Sequence, residues 1–280
     1  MNLLPGHSEV SARKVMTYTG LLGRKTGQGR TSYQWSKPDT FENWVNNATD
    51  NRMLVDYKQI DPPPFTYNFN SLGHRTDLEI DELKDRGYVL VVGCSHSEGE
   101  GIPSHKRYSE LIAKELGLQC YCLGLGGIAN DAIHYQINQW FRIVAQRPKL
   151  VIVQWTYSPR YTLWPQQLGP SSVIRHIETV GPWRKDLMQS HPEIQTLLVA
   201  GSDLHYWQAY KVMTQHCVSQ WLDTVEVANW HFDTSLEPQE HKFTGKVITC
   251  SAVDLARDLQ HPGEQSQVQW ANQLLTEFYK

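Results

Sequence analysis

Tyr88-Val89-Leu90-Val91-Val92-Gly93-Cys94-Ser95-His96-Ser97-Glu98-Gly99 is the stretch on which the fold turns. Its first five side chains form an unbroken apolar run, and Gly93 ends it. A run of that length without polar alternation reads as a strand covered on both faces. Such strands belong to parallel sheets with helices packed above and below. The residues after Gly93 read as a sharp turn into a helix, which presents the Ser95 hydroxyl at the end of the sheet. The backbone N–H of Ser95 then points to where charge develops on an attacked carbonyl. An ordinary turn fits the same residues. The G-x-S-x-G elbow is not met, because Ser97 stands where its last glycine falls.

Working outward, the downstream chain repeats the strand–helix pattern. Residues 107–116 place Tyr108, Leu111, Ile112 and Leu116 on one helical face, with Gly117 as the stop. Residues 118–123 are strand-like. Residues 130–144 form an amphipathic helix with Ile133, Ile137, Trp140, Phe141 and Val144 on one side. Pro148 introduces a second buried strand over 150–155. The alternation predicts parallel pairing with helices on both faces. Residues 204–222 read as a helix, 225–232 and 246–250 as strands, and 265–279 as a closing helix burying Val268, Ala271, Leu275 and Phe278. The expected fold is therefore an α/β three-layer, flavodoxin-like sandwich around a mainly parallel sheet, spanning 87–280. Residues 1–86 are rich in polar, Pro and Gly residues, including Asp61-Pro62-Pro63-Pro64. They read as an irregular N-terminal extension packed on that domain.

The bulk composition narrows the function. The 280 residues are 40% hydrophobic and 20% charged, enough apolar content for a packed core. The formal charge of −3, with Lys and Arg scattered, argues against nucleic acid as a partner. No apolar run approaches the roughly 20 residues of a membrane span. The start lacks the basic-then-apolar pattern of a signal peptide, so a cytoplasmic location, or export needing no such signal, is expected. The five cysteines lack framework or zinc spacing, and no metal or other cofactor is expected. His96, Glu98 and Glu100 read as solvated loop charges.

Two further strand ends carry chemistry. Gly124-Leu125-Gly126-Gly127-Ile128-Ala129-Asn130-Asp131 opens a helix and offers backbone N–H groups to an anion or oxyanion. A close-packed glycine turn with Asn130 as an N-cap is the other reading. Asp258-Leu259-Gln260-His261-Pro262-Gly263 precedes the closing helix. A carboxylate three residues before an imidazole can fix its tautomer and stabilise its cation. Helix capping by Asp258 beside an exposed His261 is the alternative.

In combination these three blocks resemble the SGNH (GDSL-like) hydrolase superfamily over residues 87–280. Gly93-Cys94-Ser95 with Gly99 is similar to its first block, Gly127 to its second-block glycine, and Asp258-x-x-His261-Pro262 to its last. The resemblance implies a serine esterase or O-deacylase, with Ser95 as nucleophile and His261 and Asp258 as acid–base partners. The N–H groups of Ser95 and Gly127 become the oxyanion hole, and small-molecule or acetylated carbohydrate esters the substrates. Cys94 stands where the family has aspartate, its side chain expected in the core. The family's Gly-x-Asn is absent from Gln154-Trp155-Thr156-Tyr157-Ser158-Pro159-Arg160, leaving Thr156, Ser158 or Asn130 as the replacement donor. Arg160 suits a substrate carboxylate or sulfate, or a surface ion pair. Trp155, Tyr157, Tyr161 and Trp164 suit either a sugar-facing wall or the core. Two other readings stay open: an SGNH-fold carbohydrate-binding or assembly protein without turnover, and a flavodoxin-like nucleotide binder, against which Glu98 and Glu100 count by repelling phosphate. The oligomeric state is not legible.

Overall fold

The structure, a computed structural model, describes residues 9–10, 14–17, 19–26, 29–47, 65–83, 87–156, 160–163, 175–181, 184–190, 192, 195, 226–232 and 247–279. Its N-terminal part holds Glu9–Val10 (β1), Lys14–Met16 (β2), Leu22–Arg24 (β3), Thr31–Tyr33 (β4), Trp35–Ser36 (β5), Phe41–Asn47 (α1) and Tyr67–Phe69 (β6). Then come Tyr88–Val92 (β7), Ser95–Glu98 (α2), Tyr108–Glu115 (α3), Gln119–Cys122 (β8), Asn130–Ile143 (α4) and Leu150–Trp155 (β9). Tyr161–Leu163 (β10), Arg175–Val180 (β11), Lys185–Ser190 (α5), Glu226–Phe232 (β12), Val247–Cys250 (β13) and Glu264–Tyr279 (α6) complete the described elements. The helix expected over 204–222 and the proline run at 62–64 lie outside the described residues.

The central sheet has five strands in the order β8-β7-β9-β12-β13. Every neighbouring pair is parallel. Counted along the chain this is the flavodoxin-like order, with its switch point between β7 and β9. The apolar run at 88–92 sits in the middle because it can be covered twice. Leu90 and Val92 of β7 join Val151 and Val153 of β9 under Ile133, Ile137, Trp140 and Phe141 of α4. Val89 and Val91 join Leu150 and Ile152 over Tyr108 and Ile112 of α3 and Trp270 and Leu274 of α6. Each strand side chain is thus assigned to one of two cores by its parity. Burying an aliphatic side chain of this size contributes about 1.5–3 kcal/mol, and all five β7 residues are fully buried.

One packing expectation needs correction. Val268 is 44% exposed. The buried stripe of α6 runs instead through Gln267, Trp270, Ala271 and Leu274, a spacing of three and four that rotates Val268 onto the solvent side. Of the two readings left open for Trp155, the core is the one observed: it packs under α4. Tyr161 packs on Val180, and Tyr157 and Trp164 lie outside the described residues.

The N-terminal strands are tied to distant chain. β2 pairs with β11, aligning Met16 with Arg175, and β3 continues that antiparallel sheet. β3 is also fixed to α4. The fully buried Gln136 accepts from Leu22 N–H at 2.7 Å and donates to Leu22 C=O at 2.9 Å. This leaves Arg24, the last residue of β3, beneath the carboxyl ends of the central strands.

Candidate active site

Ser95 opens the four-residue helix α2, immediately beyond β7. Gln154 of β9 holds the turn: its Oε1 accepts from Cys94 N–H at 2.9 Å. Cys94 is buried in the core under α4. α2 ends at Gly99, in the left-handed region at φ 76°. The carbonyls freed by so short a helix need donors. Arg75 supplies them, donating to the Glu98 carbonyl at 3.0 Å, to the Gly99 carbonyl, and to the Ile102 carbonyl at 2.7 Å. Ser95 is 8% exposed. Among the described residues its N–H has no acceptor, as expected for the first residue of a helix.

The Asp258–His261 segment closes on itself. Asp258 Oδ1 accepts the N–H groups of Gln260 and His261, each at 3.0 Å. Its Oδ2 lies 2.6 Å from His261 Nδ1. Nδ1 therefore carries a proton, and Nε2 is the ring nitrogen left to meet another partner. Leu259 adopts φ 53°, the only positive φ outside glycine among the described residues. Such strain persists where surrounding contacts enforce it. Gly101 brings the two loops together: a side chain there would meet Ala256 Cβ at 2.6 Å and Asp258 Oδ1 at 3.2 Å.

Arg257 locks the same segment from the N-terminal side. It pairs with Asp39 at 2.7 Å, both side chains fully buried, and lies between the Trp35 and Phe65 rings, 4.3 and 3.9 Å from their centroids. Tyr67 OH donates to Asp39 and accepts from Gly101 N–H at 2.7 Å. One buried anion thus ties both site loops to β5 and β6.

The glycine loop crosses the end of β7, with Leu125 N–H donating to Gly93 C=O at 2.9 Å. Gly127, at φ 70°, occupies the third position of a turn closed by Ile128 N–H on Leu125 C=O. That conformation suits glycine, and among the described residues the Gly127 N–H has no acceptor. Asn130 is the first helical residue and not the cap, which is Ala129. Its side chain instead clamps the end of β9, accepting from Thr156 N–H at 2.9 Å and donating to Thr156 C=O at 3.1 Å. Thr156 Oγ1 is buried without a hydrogen-bond partner among the described residues.

Glu98 and Glu100 are not solvated, contrary to expectation: they are 1% and 3% exposed. Arg24 reaches both, donating to Glu98 at 2.9 and 2.8 Å and also to Glu100. Gly126 N–H donates to Glu98 as well. Burial alone would raise the Glu98 carboxyl, but Arg24 and Gly126 bring it below its usual range. Glu100, less fully compensated, is pushed by burial up to about 7. Its Oε2 lies 3.2 Å from His261 Nε2. Burial would lower His261, but Asp258 and then Glu100 outweigh it and raise the imidazole to about 9. His96, next to Ser95, faces the His261 ring at 5.8 Å between centroids. Burial, with the charges of His261 and Arg160, pushes it well below the ordinary imidazole range.

Of the residues singled out from sequence, Asp258 and His261 are joined directly, and the His261 ring stands against the turn that carries Ser95. Ser95 Oγ contacts Cys94 Sγ at 4.0 Å, and no hydrogen bond among the described residues joins it to His261. Gly127, Asn130 and Thr156 lie on the neighbouring loops. Sequence reasoning missed Arg24, Asp39, Arg75 and Gln154. Among the described residues no group of three or more His, Cys, Asp or Glu side chains is arranged to hold a metal ion, and no helix is long and apolar enough to cross a membrane.

No family model and no curated protein matches the chain. Several solved structures are similar to it, two of them carbohydrate esterases. One is a carbohydrate esterase whose active site displays divergent catalytic and non-catalytic binding functions, at 11% identity and TM-score 0.39, covering 76% of this chain and 80% of that one. The other is a carbohydrate esterase family 2 enzyme with its carbohydrate-binding domain, from Corynascus thermopiles (Myceliophthora fergusii), at 9% identity and TM-score 0.40, covering 76% and 71%.

Proposed function

We propose that this chain is a serine esterase or O-deacylase that cleaves a carbon–oxygen ester, acetylated carbohydrates among its substrates. The observation that carries the reading is the Asp258–His261 pair, 2.6 Å apart, with its imidazole set against the Ser95 turn at the carboxyl end of the sheet. His261 Nε2, once unprotonated, accepts the Ser95 proton as Oγ attacks the ester carbonyl. Asp258 holds the tautomer and offsets the imidazolium charge. The Ser95 and Gly127 N–H groups take the oxyanion, with Thr156 Oγ1 as a third donor. His261 then protonates the leaving alkoxide. In the second half it deprotonates water, which attacks the acyl-enzyme, releases the acid and restores Ser95.

A second reading has its own support. A carbohydrate-binding or assembly protein that keeps the fold without turnover fits the pairing of His261 Nε2 with Glu100 at 3.2 Å. Hydrolysis of a short-chain nitrophenyl ester separates the two. The esterase reading expects turnover, labelling by a fluorophosphonate, and loss of both in Ser95→Ala, with turnover down at least about 10³-fold. No turnover of any acyl ester and no labelling of Ser95 would reject it for the second reading.

A further inference from the structure

Glu100 is the group in this site whose presence an esterase mechanism does not call for. It sits on the same turn as Ser95, five residues on, buried and held at Oε1 by Arg24. Its other oxygen meets the nitrogen of His261 that must reach the nucleophile. Asp258 already occupies Nδ1 with its proton. Two lone pairs cannot rest 3.2 Å apart in a buried setting, so a proton lies between Nε2 and Oε2. With that proton in place, Nε2 has no lone pair to offer Ser95.

We propose that Glu100 is a positioning residue that holds the His261 ring and its proton away from Ser95, so that the base becomes available only when Glu100 gives up the contact. The inference rests on the esterase reading for its catalytic meaning, but the Glu100–His261 pairing stands on geometry alone. The groups that face the ring come from three directions. Asp258 lies on its own loop. Glu100, His96 and Cys94 come from the nucleophile turn, with Arg160 acting on His96. Arg24 and Glu98 stand behind Glu100. Asp258 and Glu100 favour the imidazolium, and burial opposes it. Removing the Glu100 charge while keeping its shape therefore lowers the pH at which His261 loses its proton.

The test compares the full-length wild type with Glu100→Gln by histidine NMR titration, alongside the pH dependence of kcat/KM on a nitrophenyl ester. In wild type the His261 midpoint is expected well above that of a free imidazole, and lower in Glu100→Gln. The acidic limb of kcat/KM should move with it. Each unit of movement raises the unprotonated fraction at pH 7 about tenfold. A wild-type midpoint at or below that of free imidazole overturns the proposal, and so does an unchanged midpoint in Glu100→Gln. A uniform fall in kcat/KM with no displaced limb also overturns it, because that is the mark of a purely structural role. Should Glu100→Gln not fold, the wild-type titration still decides, and Glu100→Asp, which keeps the charge but shortens the reach, should lower the midpoint in the same direction. Absence of turnover and of fluorophosphonate labelling in wild type rejects the esterase reading separately, while the titration continues to decide the pairing.

Discussion

Replacing Arg24 by methionine keeps the length of the side chain and removes the cation between two buried carboxylates. Arg24 is 2% exposed at its side chain, and its partners Glu98 and Glu100 are 1% and 4%. Breaking a buried pair by removing one member costs about 3–5 kcal/mol, because the remaining charge is left without compensation. At about 2.1 cal/mol/K per residue of unfolding entropy, a chain of 280 residues should lose about 5–9 °C in Tm. The loss should depend on pH, and the sign follows from linkage. Wild-type Glu98 is held below its unfolded value, so it contributes stability above the ordinary carboxylate range and loses it on acidification. Without Arg24, burial dominates at both carboxyl groups: Glu98 is raised, and Glu100, already pushed up to about 7 in the wild type, rises further, so stability falls more steeply with rising pH than in the wild type. Urea unfolding of wild type and Arg24→Met at pH 5 and pH 8 measures this directly. The penalty should be near its full size at pH 8 and clearly smaller at pH 5, where the carboxyl groups take up protons. A variant within about 1 kcal/mol of wild type at pH 8, or equally destabilised at both pH values, refutes the reasoning.

Asp258→Asn should lower kcat by about 10³–10⁴-fold with the fold retained, because an amide oxygen can still accept the N–H groups of Gln260 and His261. Ester turnover with circular dichroism checks both parts. Gly127→Ala forces a β-carbon onto φ 70°, costing about 1–2 kcal/mol and shifting the N–H group proposed to take the oxyanion. A kcat loss of about 10²–10³ with KM little changed is expected, and a change confined to KM would remove Gly127 from the oxyanion hole.

What the sequence reveals here follows the range of the interactions. The runs at 88–92 and 150–153 are legible because burial on both faces keeps them continuously hydrophobic. The Asp258–His261 pair is legible because both groups lie on one tight loop, three residues apart. The partners of the site are not. Arg24 meets Glu98 and Glu100, Arg75 caps the carbonyls of the Ser95 turn, and Asp39 fixes Arg257, all across chain separations that leave no local periodicity. The same gap made Glu98 and Glu100 look like solvated loop charges, since nothing nearby in sequence supplies their cation. The cap alternative for Asn130 fails for a related reason: its position at a helix start suggests a cap, but Thr156 at the end of β9 offers its amide both a donor and an acceptor. Val268 reads as inward from sequence because an apolar residue near a helical stripe is ambiguous by one position, and the packing of Trp270 decides the rotation.

The clamp on Arg257 has a consequence for where this protein can be cut. A chain trimmed to start at Gly87 would retain every strand of the parallel sheet and the Ser95, Asp258 and His261 side chains. It would nonetheless strip the Arg257 guanidinium of both flanking rings, Trp35 and Phe65, and of its counter-ion Asp39, and the segment bearing the imidazole would lose its anchor. The portion that looks like an accessory by composition is therefore part of the scaffold of the site, and a boundary drawn on hydrophobic pattern alone would separate the Ser95 and Asp258–His261 segments from what keeps them in register.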